Sequence, residues 1–279
     1  MNETDLNTNT SRTVNRVRYE PRSRSLTVIR VEPLSPTMVR IALSGTDLES
    51  DFPIHPLAAA DHVKLVFPDP TSGLLTLPAP GQLRSLRPNG EPWITRDYTI
   101  RAFDHERREL SIDFVLHDHG PAGRWARDAR VGSSLGVLGP RGSRVYPTQY
   151  SHYLLVADET GVPALERFIE ELPHSINISA LIQVGTTEEE RVLERTGLKI
   201  VWLHGGCGDN TRAMEASIRE VIDTVGDDVF VWAAGEAGAL KPVRSLLLDE
   251  LGLDREQVDL HGYWRVGAAG NIGHKALEQ

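Results

Sequence analysis

The amino-acid sequence predicts a fold in two parts, a small antiparallel β-barrel followed by an open parallel sheet covered by helices. Between Leu26 and about Leu138, short β-type runs are separated by Pro, Gly and Asp, and several runs alternate apolar and polar residues. From about Tyr153 onward, Val- and Leu-rich strands alternate with helices. The first pattern is typical of half-buried antiparallel strands, and the second of a parallel sheet buried on both faces.

The first half contains six predicted strands, which at this spacing indicate a small closed barrel, because closure removes exposed strand edges. The runs are LTVIRVE (26–32), MVRIALSG (38–45), HVKLVFP (62–68), DYTIRAFD (97–104), ELSIDFVLH (109–117) and SLGVLG (134–139). One helix is predicted in this half over GPAGRWARDAR (120–130), where Pro121 suits the first turn.

The second half reads as a series of strands and helices that builds an open sheet. Strands are predicted over 152–158, 178–185, 199–206, 228–235 and 259–267, and helices over PALERFIEELP, TRAMEASIREVID and KPVRSLLLDELG. We therefore expect a polar N-terminal tail over 1–20, a barrel domain over 21–145 and an α/β domain over 152–279. The segment 141–151 is the predicted linker between the domains.

Composition excludes several classes of function. The formal charge of −9, from 39 acidic and 30 basic residues, argues against a nucleic-acid partner. The single cysteine, Cys207, excludes internal disulfides and a protein-ligated iron–sulfur cluster, and we assign it no catalytic role. No run approaches the roughly 18 apolar residues of a spanning helix, and no secretory signal is visible, so we expect a cytoplasmic protein without an integral membrane segment.

The segment Arg96-Asp97-Tyr98-Thr99-Ile100-Arg101 opens a predicted strand and is a candidate binding site. Alternation places Arg96 and Tyr98 on one face of the strand and Thr99 on the other. A guanidinium can fork onto a phosphate, an aromatic side chain can cover a flat ring, and a hydroxyl can hydrogen-bond a flavin nitrogen. On spacing alone, an ordinary surface strand is the simpler explanation.

A second candidate segment runs from Asp113 to Ala126, where a predicted strand ends, small residues follow and a helix begins. The N–H groups of a helix N-terminus form an anion site suited to a pyrophosphate, and small residues let a phosphate approach the backbone. The alternative is a capped barrel helix with Trp125 in the core. Metal binding by His117 and His119 is disfavoured, because no third ligand stands at a suggestive spacing.

In this order, the two segments resemble the siderophore-interacting proteins, ferric-siderophore reductases of the ferredoxin-reductase-like superfamily. The family motif is Arg-x-Tyr-Thr, then Asp-x-Val-x-His, then Gly-Pro-Ala-x-x-Trp-Ala, matched here by 96–99, 113–117 and 120–126. Three further segments are family-like: Gly139-Pro140-Arg141-Gly142, Ala157-Asp158-Glu159-Thr160 with Pro163-Ala164, and Gly262-Tyr263-Trp264-Arg265. The resemblance extends over roughly residues 20 to 270.

The resemblance implies a ferredoxin-reductase-like fold with FAD in the barrel and a nicotinamide domain that begins near Asp158. The implied cofactor-binding residues are Arg96, Asp97, Tyr98, Thr99, Asp113, Phe114, Val115, His117, His119, Gly120, Pro121, Ala122, Trp125, Asp158 and Thr160. It implies NAD(P)H or a reduced ferredoxin as electron donor. No Gly-rich dinucleotide fingerprint supports this directly, and Asp158 and Glu159 can equally cap the next helix.

The resemblance also implies a ferric siderophore as substrate, bound by a basic triad for which we select Lys64, Arg141 and Arg265. Scattered solvated charges are the alternative for these three residues. Two other functions fit the same sequence. One is a general NAD(P)H:flavin or ferredoxin-type oxidoreductase that handles no siderophore. The other is a non-enzymatic siderophore-binding module without flavin, against which Arg96, Tyr98 and Thr99 count.

Overall fold

Two large sheets organise the chain, an antiparallel one in the first half and a parallel one in the second. The computed structural model describes residues 11–79, 82, 85–117, 120–206 and 208–268. We call the two halves the barrel lobe and the α/β lobe. Among the described residues, none of the helices has the length and apolar character needed to cross a membrane.

The barrel lobe is built from short strands and one helix. The strands are β1 (Asn15–Arg18), β2 (Ser23–Ser35), β3 (Met38–Ser44), β4 (His62–Val66), β5 (Thr95–Thr99), β6 (Ala102–Asp104), β7 (Glu109–Val115), β8 (Ser134–Leu138) and β9 (Gly142–Val145). The helix α1 (Pro121–Asp128) lies between β7 and β8, where the sequence predicts it.

The antiparallel sheet has the order β5-β4-β8-β2-β3-β7-β6, so β5 and β6 lie at its opposite ends. The sequence predicts 97–104 as one strand; this is wrong, because Ile100 and Arg101 separate β5 from β6. The Ile100 N–H donates to the Asp61 carbonyl at 2.8 Å, beside β4, and the Arg101 N–H donates to the Ser111 carbonyl on β7 at 3.0 Å. Two consecutive residues thus join the two ends of the sheet, which curls into the predicted barrel-like form.

Alternate residues along the strands fill the interior of the barrel. Leu26 and Val28 of β2 are buried, as are Ile41 and Leu43 of β3, while the intervening residues of β2 are exposed. Burial of one such side chain stabilises the fold by about 1.5–3 kcal/mol. The alternation read from the sequence is therefore the pattern that drives the sheet to close around its apolar face.

The last part of the segment predicted as a polar tail is a strand instead. β1 pairs antiparallel with β9, so that Asn15 lies opposite Val145 and Arg18 opposite Gly142. All four residues of β1 are exposed, which is why hydrophobic alternation does not reveal it. A Cβ at Gly142 would lie 2.2 Å from the Val17 carbonyl oxygen, so this pairing requires glycine there.

The α/β lobe contains a parallel sheet with the order β12-β11-β10-β13-β14. Its elements are β10 (His152–Asp158), α2 (Val162–Glu171), β11 (Asn177–Val184), β12 (Leu198–His204), α3 (Thr211–Val225), β13 (Val229–Glu236), α4 (Leu240–Ser245), a π-helical turn (Leu246–Glu250) and β14 (Val258–Trp264). Strand order and direction confirm the open parallel sheet predicted from the sequence. The strand predicted over 259–267 ends earlier, at Trp264.

Both faces of this sheet are covered by helices. Tyr153 and Leu155 of β10 pack in one apolar cluster with Phe168 of α2. Leu154 and Val156, which point to the opposite face, pack in another cluster that includes residues of α3 and α4. Successive residues of β10 are therefore all buried, which explains the continuous apolar run in the sequence.

Helix α2 joins the two lobes through buried charges. The Glu166 carboxylate on α2 accepts a hydrogen bond from Arg101 Nε at 2.9 Å and pairs with Arg191 Nη2 at 3.0 Å. Arg40 of β3 lies 3.4 Å from the same carboxylate and donates to Asp113 of β7 at 2.7 and 2.8 Å. We call these five residues the interlobe ion network. The Asp113 side chain has no solvent exposure and that of Glu166 has 8%.

A neighbouring pair on α2 strengthens the same junction. Arg167 is 2% exposed; its Nη1 donates to the Ile100 carbonyl at 3.1 Å and its Nε to Glu171 Oε1 at 2.6 Å. The other Glu171 oxygen accepts the backbone N–H of Leu57 at 2.8 Å. Helix α2 therefore contacts the barrel at Leu57 and at Ile100, the residue at which the two ends of the barrel sheet meet.

Glu166→Ala is expected to lower the free energy of unfolding by about 3–5 kcal/mol, because it removes the buried carboxylate shared by Arg101 and Arg191 and leaves Arg191 with only Asp113, at 3.9 Å, as counter-charge. Urea denaturation measures the change. The control is Glu170→Ala, since Glu170 pairs with the same Arg101 but its side chain is 54% exposed. We expect that variant to lose less than about 1 kcal/mol. Equal losses in both variants would show that the buried network does not hold α2 on the barrel.

Candidate functional site

One face of the candidate segment 96–101 points from β5 into the barrel core. Val63 of β4 is buried in that core and lies opposite Tyr98 of β5. The Tyr98 ring packs against Phe114 with ring centroids 4.4 Å apart, and burial raises the pKa of its hydroxyl. Arg96, two residues before Tyr98, shares this face and donates from Nη1 to the Thr95 carbonyl at 2.7 Å. Tyr98 and Arg96 thus lie together on the inner face of β5.

The outer face of the same strand pair meets the C-terminal part of the chain. Lys64 lies directly opposite Asp97, and the two side chains form an ion pair. The Thr99 side chain is buried and lies beside the side chain of Tyr263 at the end of β14. Burial raises the pKa of Tyr263, which therefore stays a neutral phenol. Tyr263 was named in the sequence only as part of a family-like segment, yet it lies directly at the predicted site.

Helix α1 begins at a glycine followed by a proline. Gly120 adopts a φ of 83°, a conformation that favours glycine, and Pro121 follows at the beginning of the helix. Among the described residues, no side chain caps the N-terminus of α1 by a hydrogen bond. A Cβ at Gly123 would lie 2.5 Å from the His117 carbonyl oxygen, so glycine permits this close packing. The predicted residue His119 lies outside the described residues.

Other side chains of the second segment are used inside the fold. Asp113 belongs to the interlobe ion network, and Phe114 lies in the barrel core. Trp125 packs against Phe114 with centroids 5.6 Å apart, and Ala122 is buried beside it in the same cluster. Val115, at the end of β7, is half-buried. The structure therefore does not bring the Asp113 side chain to the outer face of β4 and β5, on which Lys64 and Thr99 lie.

The Asp158 carboxylate accepts hydrogen bonds at the ends of three strands of the α/β lobe. Its Oδ1 accepts from the Thr160 N–H at 2.9 Å and from the Thr160 hydroxyl at 2.5 Å. Its Oδ2 accepts from the Glu236 N–H at 2.9 Å and from Trp264 Nε1 at 2.8 Å. Burial raises the pKa of Asp158, and the four hydrogen bonds oppose that rise. The side chains of Asp158 and Thr160 thus serve the junction of β10, β13 and β14.

A crevice opens at the carboxyl ends of β10 and β13, where the strand order reverses direction. It encloses about 820 Å³, including solvent at its mouth, and its lining includes Gly185, Gly205 and Gly235. An open parallel sheet binds its ligand at such a position. These glycines stand at the ends of three different strands, so no contiguous glycine motif reveals them in the sequence.

Glu159 lies between this crevice and the hairpin that joins β2 and β3. It lines the crevice on one side and, on the other, a small gap shared with Thr37 and Arg191. Burial raises the pKa of Glu159 to about 7, and the negative charges of Asp158 and Glu189 add to the rise. This carboxyl group therefore changes its charge near neutral pH at the boundary between the lobes.

The three predicted substrate-binding cations lie on segments that the fold connects. Lys64 of β4 lies opposite Leu138, and Arg141 follows Leu138 by three residues. Arg265 follows β14 directly, two residues beyond Tyr263 and its contact with Thr99. Arg141 and Arg265 are both exposed. The three cations thus lie on β4, after the end of β8 and after the end of β14, and their role at a substrate site stays a prediction.

Comparison with known proteins identifies both lobes. Residues 27–144 match the family model described as the siderophore-interacting FAD-binding domain, and residues 150–267 match that of the siderophore-interacting protein. The chain is 35% identical over 260 residues to the NADPH-dependent ferric-chelate reductase of Escherichia coli (strain K12), covering 92% of this chain and 98% of the relative.

Solved structures share the fold. A siderophore utilization protein from T. fusca is 44% identical, with a TM-score of 0.80 over 94% of this chain and 98% of that one. The ferredoxin reductase of carbazole 1,9a-dioxygenase is 16% identical, with a TM-score of 0.63 over 88% of this chain and 68% of that one. At that identity the likeness concerns the fold, and it confirms the predicted ferredoxin-reductase-like architecture.

Glu159→Gln is expected to remove a pH dependence of stability. The raised pKa means that the folded protein keeps a proton that the unfolded chain releases near pH 4.5, so wild-type stability falls as pH rises from there through about 7. Allowing for partial solvent exposure, we expect wild type to lose about 1–2 kcal/mol more than the variant between pH 5 and pH 8. Urea unfolding at both pH values tests this, and parallel pH curves would contradict it.

Proposed function

We propose, from the premise that this chain belongs to the family of siderophore-interacting proteins, that it is an FAD-dependent ferric-siderophore reductase. The observation that carries the proposal is the meeting of the two lobes at β5, where the side chains of Thr99 and Tyr263 lie beside each other. This contact brings the strand that carries Arg96, Tyr98 and Thr99 next to the segment that continues to the cation Arg265. We assign residues 21–145 to FAD binding and residues 152–279 to the electron donor.

The described residues fit FAD at its phosphates and at its ring. The uncapped start of α1 offers backbone N–H groups, and Gly120 and Ala122 place no large side chain in front of them. Arg96 can donate to a phosphate, since it carries five N–H donors and the described residues engage one of them. Tyr98 on the inner face and Thr99 on the outer face of β5 would orient the ring. The sequence-predicted contacts of Asp113 and Phe114 would then come from their backbone.

The reaction requires little acid–base catalysis by the side chains of the protein. FAD held by the strand Thr95–Thr99 and the start of α1 would supply hydride acceptance and single-electron donation, which a nicotinamide does poorly. Oxygen ligands that hold iron(III) tightly hold iron(II) much less well, so reduction releases the metal from the siderophore. The chain's own task is to bind the cofactor and to hold the anionic ferric complex with its cations.

The electron donor fits the crevice of the α/β lobe. We assign NAD(P)H to the carboxyl ends of β10 and β13, where Gly185, Gly205 and Gly235 let a ligand approach the backbone. The E. coli relative is named as NADPH-dependent, which supports a nicotinamide donor. A reduced ferredoxin is the alternative donor. Because NAD(P)H is a cytoplasmic reductant, the proposal agrees with the cytoplasmic location expected from the sequence.

Arg96→Ala is expected to weaken FAD binding about tenfold or more, because a charge-assisted bond to phosphate is lost. The ratio of flavin absorbance to protein absorbance after purification measures FAD occupancy. The control is Arg107→Ala, since the Arg107 side chain is 77% exposed on the turn after β6. A variant that purifies fully yellow would rule out the flavin role of Arg96.

Lys64→Glu and Arg265→Glu are each expected to raise KM for an anionic ferric siderophore about tenfold while FAD content stays the same, because each reverses a charge at the substrate site. Steady-state reduction with NADH, NADPH or reduced ferredoxin provides the measurement. Lys199→Glu makes the same charge change at an exposed position of β12 and is the control. If the protein reduces free flavin but no ferric complex, the general flavin reductase is the correct function.

A further inference from the structure

We propose that Asp97 is a specificity residue that shifts the substrate site toward ferric complexes of low negative charge. The inference rests on the proposed function, in which the basic triad of Lys64, Arg141 and Arg265 attracts the ferric siderophore. Asp97 forms an ion pair with Lys64. Asp97 therefore neutralises the positive charge of Lys64 before any substrate binds. As a result, the site attracts a highly charged anion less strongly than the triad would without Asp97.

The sheet holds this ion pair in place on the outer face of the barrel. Asp97 and Lys64 are directly opposite in the β4–β5 register, a position in which Cβ atoms are about 5 Å apart. Val63 and Leu65, the neighbours of Lys64, are buried in the core, so alternation turns Lys64 and Asp97 outward. Their side chains are 21% and 29% exposed, which leaves both within reach of a ligand.

Among the groups that the structure describes next to this pair, no positive charge compensates for the negative charge of Asp97. Burial lowers the pKa of His62, the cross-strand partner of Thr99, and so favours its neutral form near Asp97. The Asp259 carboxylate, farther along the lobe boundary, is itself offset by Arg144 at 2.6 Å. The charge that Asp97 contributes is therefore felt at the substrate site with little compensation from these groups.

The effect depends on the charge of the substrate. A ferric complex with three catecholates is a trianion, whereas one with three hydroxamates is neutral. Removing one negative charge from the site is expected to tighten binding of the trianion about tenfold, on Coulomb's law over several ångströms in a water-like medium. Binding of the neutral complex has no first-order Coulomb term and should change little.

The test uses gallium(III) complexes, which match the charge and shape of the ferric complexes but are not reduced under these conditions. Titration calorimetry of FAD-loaded protein gives the affinity for a trianionic tris-catecholate and for a neutral tris-hydroxamate. Proteins are compared at equal flavin occupancy, so that any effect on FAD binding is kept apart from the effect on substrate. Reduction of the corresponding ferric complexes by wild type is measured separately.

Four variants are compared with wild type. Asp97→Asn should bind the trianion about tenfold more tightly, and Lys64→Gln about tenfold more weakly, with the neutral complex within about threefold in both. The double variant K64Q/D97N should return to within about threefold of wild type, because the pair is neutral again. Asp223→Asn, on the exposed face of α3, makes the same charge change at a distance and should have no effect.

The outcomes separate the inference from the function on which it rests. If Asp97→Asn changes the two affinities equally or not at all while wild type reduces ferric complexes, the inference is wrong and the reductase function stands. If FAD-loaded wild type neither binds a gallium complex nor reduces a ferric one, both fail. A double variant that stays far from wild type would show that Asp97 acts through packing and would also overturn the inference.

Discussion

The relative position of the two lobes depends on the buried carboxylate of Glu166 and the guanidinium groups that surround it. A carboxylate at 8% exposure is costly to bury unless it is paired, and here Arg101 and Arg191 approach it at 2.9 and 3.0 Å. The hydrogen bond from Arg101 Nε of the barrel to Glu166 of α2 is directional, so it favours one orientation of α2 on the barrel. Hydrophobic contact alone would tolerate sliding and rotation of the lobes.

A second buried carboxylate positions the other side of the site. Asp158 accepts four hydrogen bonds and thereby fixes the end of β14 against β10 and β13. Tyr263, one residue before the Trp264 that donates to Asp158, is thus presented to Thr99 on β5. The role of these two carboxylates is to hold α2 and the end of β14 in position. In the proposed function, electron transfer is carried out by bound groups, and the charges of Lys64 and Asp97 influence which ferric complex binds.

The sequence predicted the sheets, their direction and most strand positions, because burial alternates along single strands and is visible locally. It also placed Arg96 and Tyr98 together on one face of β5, since alternation depends on neighbours only. It did not predict the break at Ile100 and Arg101, where adjacent residues bond to opposite ends of the barrel sheet. Nor did it predict β1, whose exposed residues pair with a strand more than 120 residues away.

The residues of the candidate site divide in the same way. Residue types and their order along the chain were enough to identify the family and the helix start at Pro121, because these are properties of contiguous segments. Long-range packing was needed to show that Asp113 faces Arg40, that Asp97 opposes Lys64, and that Tyr263 reaches Thr99. Each of those contacts joins segments far apart in sequence, and their partners are chosen by how sheets and lobes pack, which no local pattern encodes.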